Sequence, residues 1–341
     1  RKGFSSPLVW EDKVFLTCAD ETAREVLCYD GESGELLWQK AVGTVPGMPP
    51  ELPEVGEDTT YAAPTPATDG RFVFAIFGTG NIACFDFEGN RQWARHLVNV
   101  ENIYGHASSL ITYEDLLFVQ FDDDTKGRVF ALDTTTGQTV WLAERDLEPC
   151  WSTPIVAPAE SGPQLVVAGN PKLMAYEPGS GEKLWELECL GGEVASSPAF
   201  AANTVFMANE YAALTAIELD KPIEVAWEAF DALPDVSSPL AFDNYLVVAT
   251  GFGVVNCYNT DTGEKLWTKE FEDGFYSSPI LAGSRIYLMD RNGVMHIFEA
   301  GAQYKKIARC SLGEPATTIP AIMDGRIYIR GLQNLYCIGE E

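Results

Sequence analysis

A phrase of about ten residues that ends in tryptophan recurs along this chain. It is clearest at residues 29–38 and 258–267, where a glycine stands four positions before the tryptophan. The copies that keep the aromatic residue end at Trp38, Trp93, Trp141, Trp185, Trp227 and Trp267. A further copy over residues 298–307 has Ile307 in the last position. Successive copies lie about 40 to 55 residues apart, and a recurring period in this range is typical of repeat architectures.

A second phrase, Ser-Ser-Pro or a degraded form of it, opens each repeat. Its eight copies start near residues 5, 62, 108, 152, 196, 237, 277 and 318. Turn residues follow each copy, and then come short runs rich in β-branched and aromatic residues, such as 14–17 and 246–249. Four short strands in a repeat of about 40–45 residues form one blade of a β-propeller. We therefore predict an all-β fold, an eight-bladed β-propeller of four-stranded antiparallel blades, with residues 1–341 as a single domain.

The recurring tryptophans fall on the outermost strand predicted for each blade. A large aromatic ring at that place can cover the glycine-containing turn of the neighbouring blade, and its burial contributes about 2–3 kcal/mol. We interpret six residues as structural docking residues, namely Trp38, Trp93, Trp141, Trp185, Trp227 and Trp267.

The tryptophan phrases resemble the docking motifs of the PQQ-like propeller repeat, whose general form is Ala-x-Asp-x-x-Thr-Gly-x-x-x-Trp. The resemblance covers essentially the whole chain. It extends to PQQ-binding-like propeller proteins of bacterial envelopes and, more distantly, to the outer-membrane assembly lipoproteins of the BamB group. This resemblance implies a periplasmic, outer-membrane-associated or secreted protein.

The strand count leaves one blade incomplete. There are eight openings and eight third strands, the last near residues 334–338, but only seven strands of the tryptophan type. Propellers of the family that the chain resembles close the ring with a strand from the other terminus, so we expect the missing outer strand upstream of Arg1. The alternative is an eighth blade of three strands with an exposed edge.

The charge balance excludes several classes of partner. The chain has 50 acidic and 23 basic residues and a formal net charge of −27. Such a chain is unsuited to nucleic acid or to an anionic membrane surface. No apolar run approaches the roughly 20 residues that span a bilayer, so we expect no transmembrane segment. We expect a monomer with an envelope protein or a carbohydrate as its partner.

The eight cysteines do not predict a redox or zinc site. Four of them occupy one position of the third strand in different repeats, where other repeats have alanine; they are Cys28, Cys84, Cys257 and Cys337. That position favours a small apolar side chain, so we expect reduced core residues. Four more have no assigned role, namely Cys18, Cys150, Cys189 and Cys310. The chain contains no Cys-x-x-Cys motif, and its histidines His96, His106 and His296 fall in different blades or at different depths, so no metal site is expected.

The residues just before the openings should surround the mouth of the central channel, because the first strand of each blade lines that channel. Several are aromatic, and polar residues lie next to them. The candidates for ligand or partner binding are Phe4, Tyr61, His106, Trp151, Tyr276 and Arg291. An aromatic collar with a few polar groups is typical of a binding pocket. The alternative is that these aromatic residues fill the channel and seal the contacts between blades.

Two further segments belong to the same side of the predicted propeller. Residues 40–60 form a long insertion rich in proline and carboxylates, which could cap the channel, present a strand to a partner or be a disordered surface loop. Residues 122–127, Asp-Asp-Asp-Thr-Lys-Gly, resemble a calcium loop but lack the later glutamate, so we interpret them as a solvated acidic turn.

Two functions remain open, and the sequence favours the first. The first is a non-catalytic binding or scaffold propeller in the cell envelope, without cofactor or catalytic residue, which presents the channel mouth or a strand edge to its partner. The second is a dehydrogenase that uses pyrroloquinoline quinone and calcium to oxidise alcohols or sugars. Resemblance to such quinoproteins would imply an adjacent-cysteine disulfide under the quinone, and this chain has no Cys-Cys pair.

Overall fold

The computed structural model describes residues 1–57, 59–219 and 222–339. Within these residues the chain forms eight antiparallel sheets, each made of strands that are consecutive in the sequence. This arrangement confirms the predicted all-β, eight-bladed propeller. The described residues include no helix that is long and apolar enough to cross a membrane.

The strands of the first four blades are short and are joined by tight turns. Blades 1 and 2 contain β1 (Leu8–Trp10), β2 (Lys13–Ala19), β3 (Arg24–Asp30), β4 (Leu36–Ala41), β5 (Ala67–Thr68), β6 (Phe72–Ile76), β7 (Asn81–Asp86) and β8 (Arg91–His96). Blades 3 and 4 contain β9 (Ile111–Tyr113), β10 (Leu116–Asp122), β11 (Gly127–Asp133), β12 (Thr139–Arg145), β13 (Ile155–Ala159), β14 (Gly162–Ala168), β15 (Lys172–Tyr176) and β16 (Lys183–Glu188).

The second half repeats this pattern, except in its last sheet. Blades 5 and 6 contain β17 (Ala199–Ala201), β18 (Thr204–Ala208), β19 (Leu214–Glu218), β20 (Glu224–Ala229), β21 (Leu240–Phe242), β22 (Tyr245–Ala249), β23 (Val254–Asn259) and β24 (Lys265–Glu270). Blades 7 and 8 contain β25 (Ile280–Ala282), β26 (Arg285–Met289), β27 (Val294–Glu299), β28 (Lys306–Ser311), β29 (Ala321–Met323), β30 (Arg326–Arg330) and β31 (Leu335–Ile338). Blade 8 therefore has three strands in the described part of the chain, whereas the other seven blades have four.

The openings of the repeats are joined by hydrogen bonds that run from blade to blade around the ring. Their hydroxyl groups accept a backbone N–H from the preceding blade at 2.9–3.0 Å, and the accepting residues are Ser6, Thr65, Ser109, Thr153, Ser197, Ser238 and Ser278. In the second blade the second residue of the opening is Ala63, which has no hydroxyl. The acceptor there is Thr65, two positions further along the chain. These bonds explain the serine or threonine in seven of the eight openings, since the opening of blade 8 has Ile319 in place of an acceptor.

The small residue of the third strand lies opposite the tryptophan of the fourth strand. Cys28 pairs with Trp38, and Ala131 pairs with Trp141, in each case next to a β-bulge. A small side chain is needed because directly opposite residues share one face of the sheet. In blade 7 the register places Ala308, not Ile307, at the tryptophan position, and a large residue, Ile297, lies opposite it.

The indole groups of five tryptophans donate hydrogen bonds to the next blade. The acceptors are the backbone oxygens of Phe87, Thr134, Pro178, Thr260 and Gly301, at 2.7–3.0 Å. Trp185 differs, because its indole N–H donates to Oε1 of Gln164 in its own blade at 2.6 Å.

The hydrophobic core lies between neighbouring blades rather than at one centre. One cluster combines Phe15 and Cys28 of blade 1 with Val73 and Ala75 of blade 2. All eight cysteines are free thiols. The expectation of a buried thiol is wrong for Cys337, which is exposed because β31 is the outer strand of its sheet.

Candidate functional site

One side of the propeller gathers all the long connections of the chain. Each blade runs as a meander, so the loops from the second to the third strand and from the fourth strand to the next blade share one side. We call this side the loop face; it comprises residues 1–7, 20–23, 42–66, 77–80, 97–110, 123–126, 146–154, 169–171, 189–198, 209–213, 230–239, 250–253, 271–279, 290–293, 312–320 and 331–334, apart from the undescribed Asp58. Every residue predicted at the channel mouth lies on it.

The inserted segment 40–60 is held on the loop face by hydrogen bonds near its end. The Thr59 hydroxyl donates to the backbone oxygen of Tyr104 at 2.6 Å, and the Tyr61 hydroxyl donates to that of Pro53 at 3.0 Å. Val45 is buried. Tyr61 therefore serves to hold the insertion, and its partial burial raises the pKa of its phenol. Asp58, which belongs to the same insertion, lies outside the described residues.

Trp151 is linked to this insertion by Tyr104, a residue that the sequence did not single out. The rings of Tyr104 and Trp151 meet edge to face, with centroids 5.1 Å apart and an interplanar angle of 85°. The backbone N–H of Trp151 donates to the oxygen of Val194 at 2.9 Å. Its buried Nε1 has no hydrogen-bond partner among the described residues. Tyr104 lies two positions before His106 in the same connection. An aromatic residue so close to a predicted mouth residue could have marked it as a further candidate.

His106 lies beneath the mouth rather than at its surface. Its side chain is 3% exposed and stacks on Phe121, with centroids 4.7 Å apart and an interplanar angle of 12°. Burial lowers the pKa of His106 to about 4, so the imidazole is neutral at physiological pH. Its Nε2 has no partner among the described residues.

Tyr276 and Arg291 form a separate pair on blade 7. The guanidinium group of Arg291 lies over the Tyr276 ring at 4.3 Å from its centroid, a favourable cation–π geometry. Phe4 belongs to the seam with blade 2, where its backbone N–H donates to Ala62 at 2.8 Å. Ring contacts among the described residues join Tyr276 to Arg291 and Trp151 to Tyr104, so the predicted collar consists of separate clusters.

The acidic segment at residues 122–127 is not the solvated turn that its sequence suggests. Asp122 is buried, and both of its carboxylate oxygens accept hydrogen bonds from Nη2 of the equally buried Arg145, at 2.5 and 2.7 Å. Asp123 is buried against Arg128 at 3.0 Å. The interpretation as a solvated turn is therefore wrong for these two residues, because β11 and β12 bring the arginines to them.

Two cavities lie around blades 3 and 4. An apolar groove of about 580 Å³ lies along β9 and β13 toward the opposite side, and its lining includes Tyr113, Pro158 and Pro163. A polar cavity of about 340 Å³ opens on the loop face, and its lining includes Asp124 and Glu148. Neither cavity contains the predicted collar residues.

The residues of the loop face do not fit a bound quinone. All eight cysteines are free, so the disulfide that the quinoprotein resemblance would require is not formed. The ring of Trp151, an aromatic residue of the loop face on which a quinone could stack, is in contact with Tyr104. Among the described residues, no group of three or more His, Cys, Asp or Glu side chains is placed to hold a metal ion.

The apolar residues most exposed to solvent are distributed unevenly between the two sides of the propeller. Among the described residues, five large hydrophobic side chains are more than 55% exposed, and all of them lie on the loop face: Ile103, Tyr211, Phe230, Phe252 and Leu332. Outer strands also expose hydrophobic residues, such as Val140 at 53% and Ile338 at 51%. Isolated exposed hydrophobic residues are common on proteins, so it is the position of the five most exposed ones that makes the loop face a candidate interaction surface.

Comparison with known proteins agrees with the architecture. A family model described as outer membrane protein assembly factor BamB matches residues 2–143, 125–238 and 224–303. The outer membrane protein assembly factor BamB of Yersinia pestis is 27% identical over 184 residues, which are 50% of this chain and 45% of that protein. The match thus spans less than half the length of this curated relative.

Solved structures share the fold at low sequence identity. BamB from Moraxella catarrhalis has a TM-score of 0.73 and 17% identity, over 98% of this chain and 92% of that one. The quinohemoprotein alcohol dehydrogenase of Comamonas testosteroni has a TM-score of 0.69 and 11% identity, over 96% of this chain and 70% of that one. Because the family match extends over most of its length and the eight blades agree with it, the chain belongs to the outer membrane protein assembly factor BamB family.

Proposed function

We propose that this chain is a non-catalytic binding propeller of the cell envelope, which holds a protein partner on its loop face during outer-membrane protein assembly. The observation that carries the proposal is the confinement of the five most exposed large hydrophobic residues to that face. The names of its relatives supply the process, and a periplasmic or outer-membrane-associated location follows from that process. In this proposal the propeller acts as a monomer.

The candidate collar divides into structural and accessible parts. Tyr61 and His106 are engaged within the fold, whereas Arg291 is exposed above Tyr276. We assign contact with the partner to the exposed Arg291 and the half-buried Tyr276, and support of the face to the engaged residues. A carbohydrate partner is the second candidate, since aromatic rings beside polar groups also suit sugars.

Deletion of the gene in the source organism tests the function. We expect lower amounts of folded outer-membrane proteins, measured by heat-modifiable mobility in membrane fractions, with recovery when the gene is supplied again. A variant with Tyr276→Ala and Arg291→Gln should restore less than the unaltered chain, because it loses an exposed contact. Unchanged outer-membrane proteins in the deletion strain would contradict the proposal.

The quinone alternative has its own measurement. Calorimetric titration of the purified chain with pyrroloquinoline quinone and calcium should give only the heat of dilution, because the stacking disulfide is not formed. Saturable one-to-one binding with micromolar affinity would favour the dehydrogenase instead.

A further inference from the structure

We infer that the loop face over blades 5 and 6 is a docking surface for a polypeptide segment that is both basic and apolar. This inference rests on the proposed function and adds to it the place on the face and the chemistry of the partner. The surface is built from the loops at residues 189–195, 209–213, 230–236, 250–253 and 271–275, and we call it the blade 5–6 surface.

Three aromatic side chains of this surface are held in solvent. Tyr211 is 65% exposed, Phe230 is 70% exposed and Phe252 is 61% exposed. Exposure of such rings costs free energy in water, about 25 cal/mol for each Å² of apolar surface. Large aromatic residues also dominate binding energy at protein interfaces. Three of them on neighbouring blades of one face therefore indicate a surface that a partner covers.

The loops that carry these rings are joined to one another. Leu214 pairs with Ala229, which places Phe230 beside the 209–213 loop. The backbone N–H of Gly251 donates to Oδ1 of Asp235 at 3.0 Å. This bond links the connection that begins at Phe230 to the loop that contains Phe252. The three aromatic residues thus belong to one continuous strip of backbone that crosses from blade 5 to blade 6.

Tyr211 is supported from below by a glycine. Gly192 has a φ of +61°, and a Cβ built on it would lie 2.6 Å from Cδ2 of the Tyr211 ring. The ring therefore lies directly on the backbone of the 189–195 loop. A ring fixed in this way loses little conformational entropy when a partner covers it.

The loops of the surface carry charges of one sign only, and the nearby cation Arg291 lies over Tyr276 at their border. The five loops contain no lysine, arginine or histidine, and they contain the carboxylates Glu193, Glu210, Asp231, Asp235, Glu272 and Asp273. Lys265 of β24 pairs with Asp231 at 2.7 Å, and Arg309 of β28 approaches Glu272 at 3.8 Å. Glu193 and Glu210 have no ion-pair partner among the described residues and face solvent.

Exposed aromatic rings and unpaired carboxylates together define the partner. Basic side chains gain from the carboxylates and from cation–π contacts with the rings, while apolar side chains cover the rings themselves. A purely apolar partner would leave Glu193 and Glu210 unpaired, and an acidic partner would be repelled. The charge complementarity therefore favours a segment in which basic and apolar residues alternate.

Binding of matched synthetic peptides to the purified full chain tests this inference. The probes are a fluorescent peptide of alternating leucine and lysine, the same peptide with glutamate for lysine, and the same peptide with serine for leucine. We expect saturable one-to-one binding of the first alone, measured by fluorescence anisotropy at physiological salt. The combined Phe230→Ala and Phe252→Ala variant should weaken it at least about tenfold.

Two control variants separate specific docking from general attraction to an acidic protein. Leu184→Ala removes an exposed apolar residue of an outer strand, and it should leave the affinity unchanged. Glu210→Lys should weaken binding and reduce its dependence on salt. Equal affinity for the serine-containing peptide, or binding that is unaffected by Phe230→Ala and Phe252→Ala, would overturn the inference.

Complementation of the deletion strain distinguishes failure of this inference from failure of the proposed function. If the blade 5–6 variant restores outer-membrane proteins fully while the Tyr276 and Arg291 variant does not, the loop face still binds a partner and only the surface is assigned wrongly. If the deletion strain has normal outer-membrane proteins, the proposed function itself fails.

Discussion

At the scale of the residue, His106 shows how burial decides the behaviour of a titratable group. Its ring stacks on Phe121, and its backbone N–H donates to the backbone oxygen of Gly78 at 3.5 Å. Desolvation lowers the pKa of His106 from 6.5 to about 4, and a hydrogen bond with the Ser108 backbone opposes this only in part. His106, which the sequence suggests as a residue that binds a ligand or partner, is therefore a neutral residue that packs beneath the channel mouth.

Acid should destabilise the protein through this histidine. Between pH 6.5 and 4 the unfolded chain binds a proton that folded His106 does not bind, so the free energy of unfolding falls as the pH falls. From neutral pH to pH about 5 we expect a loss of about 2 kcal/mol from this group, measured by urea unfolding. In His106→Phe, which keeps a ring on Phe121, this part of the pH dependence should vanish. The same slope in both proteins would contradict the assignment.

At the scale of the element, the turn between the third and fourth strands receives the tryptophan of the preceding blade. Gly181 has a φ of +72°, and a Cβ at this position would lie 2.6 Å from the Trp141 ring. Gly34 has the same φ, +72°, but its Cβ would meet no atom within 4 Å. The two glycines thus share one backbone conformation and differ in whether a ring covers them.

This pair separates the cost of backbone strain from the cost of lost docking. Gly34→Ala should lower the free energy of unfolding by about 1 kcal/mol, because only the left-handed backbone is strained. Gly181→Ala should cost about 2–4 kcal/mol, because it also displaces the Trp141 ring. Denaturant unfolding of the two variants measures the difference. Equal losses would show that the ring contributes nothing at this turn.

At the scale of the whole molecule, the ring of blades is not uniform. Hydroxyl groups join the openings at every step except from blade 7 to blade 8, where Ile319 follows Ser278 in the ring. The same seam lacks a docking tryptophan, since Ala308 occupies that position. On the other side of blade 8, the half-buried Arg330 donates to the oxygens of Ser5 and Thr17. Blade 8 thus makes more side-chain hydrogen bonds through its opening and Arg330 with blade 1 than with blade 7.

Restoring the missing hydroxyl should strengthen this seam. Ile319→Thr supplies an acceptor for the N–H of Ser278, and we expect a gain of about 0.5–1 kcal/mol in the free energy of unfolding. Ser109→Ala, which removes an existing acceptor, should cost about 1 kcal/mol. Hydrogen exchange should in addition show β29–β31 opening before the strands of blades 2 to 6. Loss of stability in Ile319→Thr would contradict this account of the ring.

Much of the site could not be read from the sequence, because it depends on contacts between blades. The alignment of openings found Trp151 and Tyr276, yet it did not pair them with Tyr104 and Arg291. Asp122 appeared to be part of a solvated turn until Arg145 reached it across the sheet. The exposure of Phe230 is likewise set by neighbouring loops and has no signature in the residues beside it.

The sequence by itself determined the propeller, its eight blades and the docking role expected of its tryptophans. The strands and turns of each repeat follow from local residue patterns, and the number of repeats gives the number of blades. Only the tertiary structure decided which polar groups are paired, which thiols are exposed and which face presents unpartnered aromatic rings. These properties arise where two blades meet, and residues that meet there are separated by about 40 positions in the chain. Local patterns carry no information about burial at such distances.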